Sequence, residues 1–152
     1  MNLKSNYIFK GRFGLERETL RVDNSGRLSH TPHPFPDDDH LERDFCENQL
    51  ELITPVCGSI DSLMLVLREL DEKAKKGVRA NDEYLWMNSN PPRFETEDDI
   101  PIADFRGDLS FKHDYRLKLE HRYGKRIMLF SGIHFNFSFD EKLMQELYEK
   151  SE

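Results

Sequence analysis

The sequence has few cysteines and no long apolar run. Its 152 residues include 2 cysteines, Cys46 and Cys57, which are too few for a disulfide framework and too far apart for a zinc knuckle or a redox pair. We therefore expect a reducing, cytoplasmic setting. No stretch approaches the roughly 18 apolar residues of a membrane span, and residues 1–14 lack an apolar core of signal-peptide length. No membrane partner is expected.

Basic runs and the common nucleotide-binding loops are also missing. The formal net charge is -7, and no Lys and Arg cluster of the kind that binds a nucleic-acid backbone occurs. Nucleic acid is therefore not an expected partner. Because the sequence has neither GxxxxGK[ST] nor GxGxxG after a strand, a nucleotide would have to bind through metal ions held by carboxylates. The 11 Phe, 5 Tyr and 1 Trp residues are enough for the core of one domain.

Two proline-rich stretches divide the chain into three blocks. Residues 30–40 and 88–106 each contain three prolines and several acidic side chains, which predicts two loops. Before the first loop, the pattern predicts a strand over residues 12–22, a turn over residues 23–26 and a return strand that begins at Arg27. The first block is thus predicted to be a β-hairpin.

The second and third blocks alternate strand-like and helix-like patterns. Residues 44–54 predict a strand, and Ser59 is a suitable cap for the helix that follows. The apolar positions of that helix repeat at three and four residues: Ile60, Leu63, Met64, Leu67, Leu70 and Ala74. A helix over residues 109–123, a strand over residues 126–139 and a helical tail from Asp140 follow. This order predicts an α+β fold with helices on one face of a sheet.

Carboxylates share one face of the first predicted strand. Side chains two residues apart project to the same side, so Glu16 and Glu18 lie together, while Phe13 and Leu15 point the other way. Neighbouring carboxylates raise one another's pKa unless a cation lies between them, and a divalent metal is the simplest such cation. A solvated sheet face with arginines nearby explains the same pattern, and both interpretations stay open.

The second predicted strand repeats this acidic row. Alternation puts Glu47, Gln49 and Glu51 on one face, with leucines on the other. Asp44 is seven residues before Glu51, so it can join the row only across a bulge or bend. The third strand has an apolar face and a second face that carries His134 and Asn136. A histidine in that position is either a ligand or a structural residue.

Together the three strands predict a sheet with an apolar, helix-covered outer face and a polar inner face. The inner face gathers Glu16, Glu18, Glu47, Glu51, His134 and Asn136. Oxygen-rich sites suit Mg²⁺ or Mn²⁺ better than zinc, and phosphoryl transfer is the natural use of such a site. The cluster His30, His33 and His40 is an alternative zinc site, which its irregular spacing disfavours.

Four ordered motifs resemble those of a known family. They are GLERETLRV at 14–22, RDFCENQLELITP at 43–55, YRLKLEHRYG at 115–124 and SGIHFNFSF at 131–139. They are similar to segments of bacterial glutamate–cysteine ligases, including the forms linked to a glutathione synthetase region. The resemblance implies a mainly antiparallel active-site sheet related to that of glutamine synthetase. It also implies that residues 1–152 are the amino-terminal, incomplete part of a catalytic domain.

The resemblance assigns roles to individual residues. Positions that match metal ligands are Glu16, Glu18, Asp44, Glu51 and His134. Positions that match contacts to the ATP held by those metals are Glu16, His134 and Asn136. Tyr115 and Arg116 match positions near the amino-acid substrates, and Arg116 is the candidate catalytic residue because its forked donors suit an anionic group.

The implied reaction makes γ-glutamylcysteine, the first product of glutathione biosynthesis. ATP, as co-substrate with Mg²⁺ or Mn²⁺, would phosphorylate the γ-carboxylate of glutamate, and the amine of cysteine would displace phosphate. Met87 and Asn90 near Trp86 depart from the family pattern, which leaves a related carboxylate–amine ligase open. A non-catalytic fragment that binds metal or nucleotide is a further alternative. An unpaired sheet edge predicts self-association if later strands are missing.

Overall fold

An antiparallel sheet organises the chain. The computed structural model describes residues 10–105 and 107–151, so the predictions for the first nine residues, Arg106 and Glu152 lie outside it. The strands are β1 (Gly11–Val22), β2 (Leu41–Glu42), β3 (Gln49–Ile53), β4 (Tyr84–Trp86) and β5 (Ile133–Phe139). The α-helices are α1 (Ile60–Arg79), α2 (Ser110–Tyr123) and α3 (Glu141–Glu149). Short 3₁₀ turns are Glu97–Asp99, Gly107–Leu109 and Arg126–Leu129.

Strand β1 is the centre of the sheet because it is long enough to pair with three others. β3 pairs along one edge of β1, with Glu18 opposite Glu51. β4 and β5 share the opposite edge, where β4 pairs near Val22 and β5 pairs from Gly11 to Arg17. β2 extends the sheet beyond β3. All four pairings are antiparallel, which confirms the mainly antiparallel sheet that the resemblance implies.

Helix α1 covers one face of this sheet. Ser59 caps it, because the Ser59 hydroxyl accepts a hydrogen bond from the Ser62 N–H at 3.1 Å, which confirms the predicted start. The buried cluster beneath it consists of Leu41, Leu50, Leu52, Leu70, Ala74 and Val78. Leu63 is buried as predicted, whereas Ile60 and Met64 remain exposed.

A second buried cluster lies on the opposite face, where Leu20 continues the side of β1 that carries the glutamates. It contains Leu20, Leu28, Phe45, Cys46, Ile100 and Leu129. The predicted arrangement of helices on one face holds for α1, but Leu119 of α2 packs against this second cluster. The core therefore has two halves with the sheet between them. Among residues 10–105 and 107–151, none of the helices combines the length and apolar character that a membrane crossing requires.

Several predicted boundaries are wrong. The strand predicted over residues 44–54 is shorter, because the Gln49 side chain accepts the N–H groups of Phe45 and Cys46 and closes a turn before β3. The strand predicted over residues 126–139 begins only at Ile133, because residues 126–129 form a 3₁₀ turn. The return strand from Arg27 is reduced to one bridge between Val22 and Leu28.

The apolar face of β5 is not helix-covered, contrary to the prediction. Ile133, Phe135, Phe137 and Phe139 are 42–65% exposed, because the main contacts of α1 with the sheet are with β1, β3 and β4. The ring of Phe13 lies 6.2 Å from Phe135 and 5.3 Å from Phe137, centroid to centroid. These rings bury part of one another, and the stripe as a whole stays open to solvent. Self-association stays a prediction.

Gly77 allows the first proline-rich loop to pack on α1. A Cβ atom at this position would meet three ring atoms of Phe35 at 2.1, 2.8 and 2.9 Å. We expect Gly77→Ala to lower the free energy of unfolding by about 1–2 kcal/mol, because overpacking outweighs the better helix propensity of alanine.

Urea denaturation measures this effect, with Lys76→Ala on the exposed side of the same helix as the control. Adding Phe35→Leu to Gly77→Ala should recover most of the loss. A Gly77→Ala chain more stable than the parent would contradict the packing account.

Candidate metal and nucleotide site

Carboxylates from three strands meet on the sheet face opposite α1. Glu51 of β3 lies directly between Glu18 of β1 and Glu42 of β2 in the register. Side chains opposite one another in antiparallel strands have Cβ atoms about 4.5–5.5 Å apart. These three glutamates, with Glu16 beside them on β1, are called the carboxylate row below. The predicted sharing of one face by Glu16, Glu18 and Glu51 is confirmed.

Strand β5 brings an imidazole and an amide to the same face. His134 is opposite Glu16 in the register, and its Nδ1 lies 3.5 Å from Glu16 Oε2. The Asn136 amide donates to Glu16 Oε1 at 3.1 Å. The backbone N–H of Gly132 donates to Glu18 Oε2 at 2.6 Å. Glu16 and Glu18 therefore each accept one hydrogen bond from residues 132–136.

The charges of the row act most strongly on Glu51. Burial raises the pKa of Glu51 to about 7, and the negative charges of four neighbouring carboxylates add to the rise. Those neighbours are Asp44, Glu16, Glu18 and Glu42. A carboxylate that is partly buried and surrounded by negative charges is easier to ionise when a cation lies beside it. A cation there would lower the pKa of Glu51 and favour its ionised form.

Asp44 reaches the row through a hairpin bend rather than along a strand. The prediction from alternation treated residues 44–54 as one strand, but β2 and β3 pair as a hairpin, and Asp44 lies in its loop. The guanidinium of Arg116 holds it there: Nη2 lies 3.5 Å from Asp44 Oδ1, and Nε donates to the Asp44 carbonyl oxygen. The structure thus brings Asp44 and Arg116 together. Tyr115 precedes Arg116 in α2 and is 59% exposed.

The prediction is wrong for two acidic residues, Glu47 and Glu42. Glu47 does not belong to the row: its carboxylate accepts from Arg43 at 3.1 Å and from the His33 N–H at 3.0 Å, in the turn before β3. Glu42 belongs to it and was missed, because a two-residue strand leaves no alternation to read. The proximity of Glu42 to Lys112, 3.6 Å away, also depends on the tertiary fold.

The donor set fits a hard divalent cation in its chemistry, since carboxylate oxygens are the ligands that Mg²⁺ and Mn²⁺ prefer. Across residues 10–105 and 107–151, however, no three His, Cys, Asp or Glu side chains already converge around one point. The same finding gives no support to the alternative zinc site at His30, His33 and His40. The row is therefore an open acidic surface whose side chains would turn toward a bound ion.

A cavity lies apart from this surface. It has a volume of about 490 Å³ and is lined by the turn at residues 23–28, together with Arg93 and Asp99 among others. Its lining includes His30 of the alternative zinc cluster and none of the residues predicted for the sheet-face site. The candidate site is thus a sheet face rather than an enclosed pocket.

Comparisons with known proteins find relatives of this chain. The family model for glutamate-cysteine ligase matches residues 1–152. The glutathione biosynthesis bifunctional protein of Listeria innocua is 46% identical over 147 residues, which are 93% of this chain and 19% of that protein. The glutamate–cysteine ligase of Clostridium acetobutylicum is 40% identical, over 97% of this chain and 32% of that protein. The chain therefore spans about one fifth to one third of the length of these relatives.

Solved structures show the same fold. The crystal structure of the Francisella tularensis glutamate–cysteine ligase, in complex with AMP, matches with a TM-score of 0.85 and 36% identity, over 94% of this chain and 30% of that one. A bifunctional glutathione synthetase from Pasteurella multocida matches with a TM-score of 0.85 and 30% identity, over 95% of this chain and 19% of that one.

Proposed function

This chain belongs to the glutamate–cysteine ligase family, and we propose that it forms the metal- and nucleotide-binding sheet of an enzyme that makes γ-glutamylcysteine. The reaction would join the γ-carboxylate of glutamate to the amine of cysteine, with conversion of ATP to ADP and phosphate. The observation that carries the proposal is the carboxylate row, in which Glu51 lies between Glu18 and Glu42 with a raised pKa. A divalent cation would supply positive charge to this row and would at the same time bind the phosphates of ATP.

The side chains have separable roles in this proposal. Glu16, Glu18, Asp44, Glu51 and His134 are the proposed metal ligands. Bound Mg²⁺ or Mn²⁺ would neutralise the phosphates and the charge that develops during transfer. Glu51 would ionise fully when a cation is present, because the cation offsets the neighbouring charges. The hydrogen bonds from Gly132 to Glu18 and from Asn136 to Glu16 orient two of these carboxylates.

Substrate and nucleotide binding extend from the same face. Arg116 lies beside Asp44 with its forked donors, which suits an anionic substrate group and makes it the candidate catalytic residue. Tyr115 is proposed as its neighbour in the amino-acid site, and Asn136 and His134 as contacts to metal-bound ATP. The AMP in the Francisella tularensis structure supports nucleotide use. Two buried free thiols, Cys46 and Cys57, support a cytoplasmic location.

A chimera tests the proposal at full length. Replacing the matched region of the Listeria innocua protein with this chain should give an enzyme that forms γ-glutamylcysteine from glutamate, cysteine, ATP and Mg²⁺. The same chimera with Glu18→Gln should lose most of this activity, on the order of 100-fold or more, because even outer partners of a metal site are each worth about 10–100-fold. Product is measured by mass spectrometry, and folding by thermal unfolding.

The other outcomes are equally informative. A folded chimera that couples glutamate to a different amine would identify a related carboxylate–amine ligase and contradict the cysteine assignment. A folded chimera that releases no phosphate with any amine would leave the non-catalytic alternative and contradict the ligase proposal.

A further inference from the structure

Three cationic side chains meet at the ring of Phe105. The Arg116 guanidinium carbon lies 4.5 Å from the ring centroid, that of Arg43 lies 4.9 Å away, and Lys112 Nζ lies 5.3 Å away. All three are within the roughly 6 Å over which a ring face attracts a cation. Phe105 itself is buried, and the Arg116 side chain is only 11% exposed, so the contact between these two is the best shielded from water of the three.

Each of these cations also pairs with a carboxylate from residues 42–47. The pairs are Arg43 with Glu47 at 3.1 Å, Lys112 with Glu42 at 3.6 Å and Arg116 with Asp44 at 3.5 Å. Glu42 and Asp44 are two of the negative charges that act on Glu51. Lys112 therefore links the ring to Glu42 of the carboxylate row. Arg116 links the ring to Asp44 in the same way.

The backbone around Phe105 is fixed to the same hairpin. The Ala103 N–H donates to the Phe45 carbonyl oxygen at 3.0 Å, and Cys46 and Ile102 form an antiparallel bridge. The position of the ring is thus set relative to the bend that carries Asp44. A displacement of the ring or a weakening of its face would act first on Arg116, whose Nε donates to the Asp44 carbonyl oxygen.

We propose that Phe105 is a positioning residue for the metal site: its ring holds Arg116 and Lys112, and through them fixes Asp44 and Glu42 at the edge of the carboxylate row. This inference rests on the proposed function of the row. It adds an uncharged aromatic residue that acts on the row through Arg116 and Lys112. A ring that only fills space would leave the electrostatics of the site unchanged when its electron density is altered.

Fluorination of the ring separates these two roles. Phe105 is replaced by 4-fluoro-, 3,5-difluoro- and 3,4,5-trifluorophenylalanine, which withdraw electron density from the ring face with little change in volume. The control is the same series at Phe94, whose ring faces Arg126 at 5.5 Å away from the row. Two quantities are measured in the full chain: the affinity for Mn²⁺, and the rate of hydrogen exchange of the Arg116 Nε–H by NMR.

The proposal predicts that Mn²⁺ affinity falls stepwise along the Phe105 series. The total loss should lie between about twofold and about thirtyfold, the range spanned by one cation–π contact of ordinary strength. Exchange of the Arg116 Nε–H should quicken in the same order, and Phe105→Leu should resemble the trifluoro variant. The Phe94 series should change neither quantity.

Results that contradict the positioning role of Phe105 differ from those that contradict the proposed function. If the Phe105 series leaves both quantities unchanged, or if exchange quickens while Mn²⁺ affinity stays constant, the positioning role is wrong and the metal site stands. If the parent chain binds no Mn²⁺, the proposed function is contradicted. The positioning role rests on that function, so it is then contradicted as well, whatever the Arg116 exchange rate.

Discussion

The Arg21→Met chain should unfold with a free energy about 3–5 kcal/mol lower than the parent, the usual cost of leaving one partner of a buried ion pair uncompensated. Arg21 is fully buried and donates to Glu83 Oε2 at 2.7 Å. It also donates to the carbonyl oxygens of Thr31 at 2.9 Å and Glu47 at 2.8 Å. The guanidinium therefore joins β1, the first proline-rich loop, the turn before β3 and the segment between α1 and β4.

Two comparisons isolate the cause of this loss in urea denaturation. Lys73→Met removes an ion pair with Asp38 whose lysine is 54% exposed, and it should cost less than about 1 kcal/mol. The double substitution Arg21→Met with Glu83→Leu should recover part of the stability, because neither charge then remains buried alone. A single Arg21→Met variant as stable as the Lys73→Met variant would contradict the structural role of this ion pair.

The Glu51→Gln chain should bind Mn²⁺ on the order of 100-fold more weakly than the parent and yet be no less stable without metal at pH 8. The glutamine keeps the shape of the side chain and cannot supply an ionised ligand. Loss of an outer partner alone costs a metal site about 10–100-fold, so loss of a direct ligand should cost at least as much. The stability of the metal-free chain should not fall together with its Mn²⁺ affinity. In the parent, ionised Glu51 is repelled by four other carboxylates, and glutamine removes this repulsion.

The difference in stability between the Glu51→Gln chain and the parent should change with pH in one direction. Because the folded-state pKa of Glu51 is raised to about 7, the folded chain binds more protons than the unfolded chain between about pH 4.5 and pH 7. The contribution of Glu51 to the free energy of unfolding therefore falls as pH rises through that window. Glu51→Gln removes this contribution, so the stability of the variant relative to the parent should increase from pH 4.5 to pH 7.

The contribution of His33 to stability changes with pH in the opposite direction. It must therefore be removed by comparing two chains that both contain His33. Burial lowers the pKa of His33 to about 4, so its contribution to stability is present above about pH 6.5 and is lost as pH falls toward 4. The parent and the Glu51→Gln chain share His33, and only their difference reports on Glu51. A difference that is constant with pH would contradict the raised pKa.

Local pattern was sufficient to predict those parts of the site that lie along one strand. Alternation in β1 predicts that Glu16 and Glu18 share a face, and the same rule in β5 brings His134 and Asn136 to one side. The start of α1 at Ser59 was likewise readable, because a capping side chain and a helical period are local signals.

The remainder depends on contacts between segments distant in the sequence. The hairpin that brings Asp44 and Glu42 to Glu51 includes a strand of two residues, Leu41–Glu42, which has no period to detect. Alternation places Glu47 in the row, because it does not reveal the turn that the Gln49 side chain closes. The meeting of Phe105 with Arg116 joins a loop to a helix, and the spacing of residues does not indicate it.

Titration of the metal-free chain with Mn²⁺ at pH 8, in the presence of ATP, tests the central claim most directly. The measurement compares the parent with Glu51→Gln and with Glu47→Gln, whose carboxylate lies outside the row. The account predicts saturable binding by the parent and by Glu47→Gln, and a large loss of affinity in Glu51→Gln. Absence of saturable binding by the parent, or equal affinities for the parent and Glu51→Gln, would contradict a metal site at the carboxylate row.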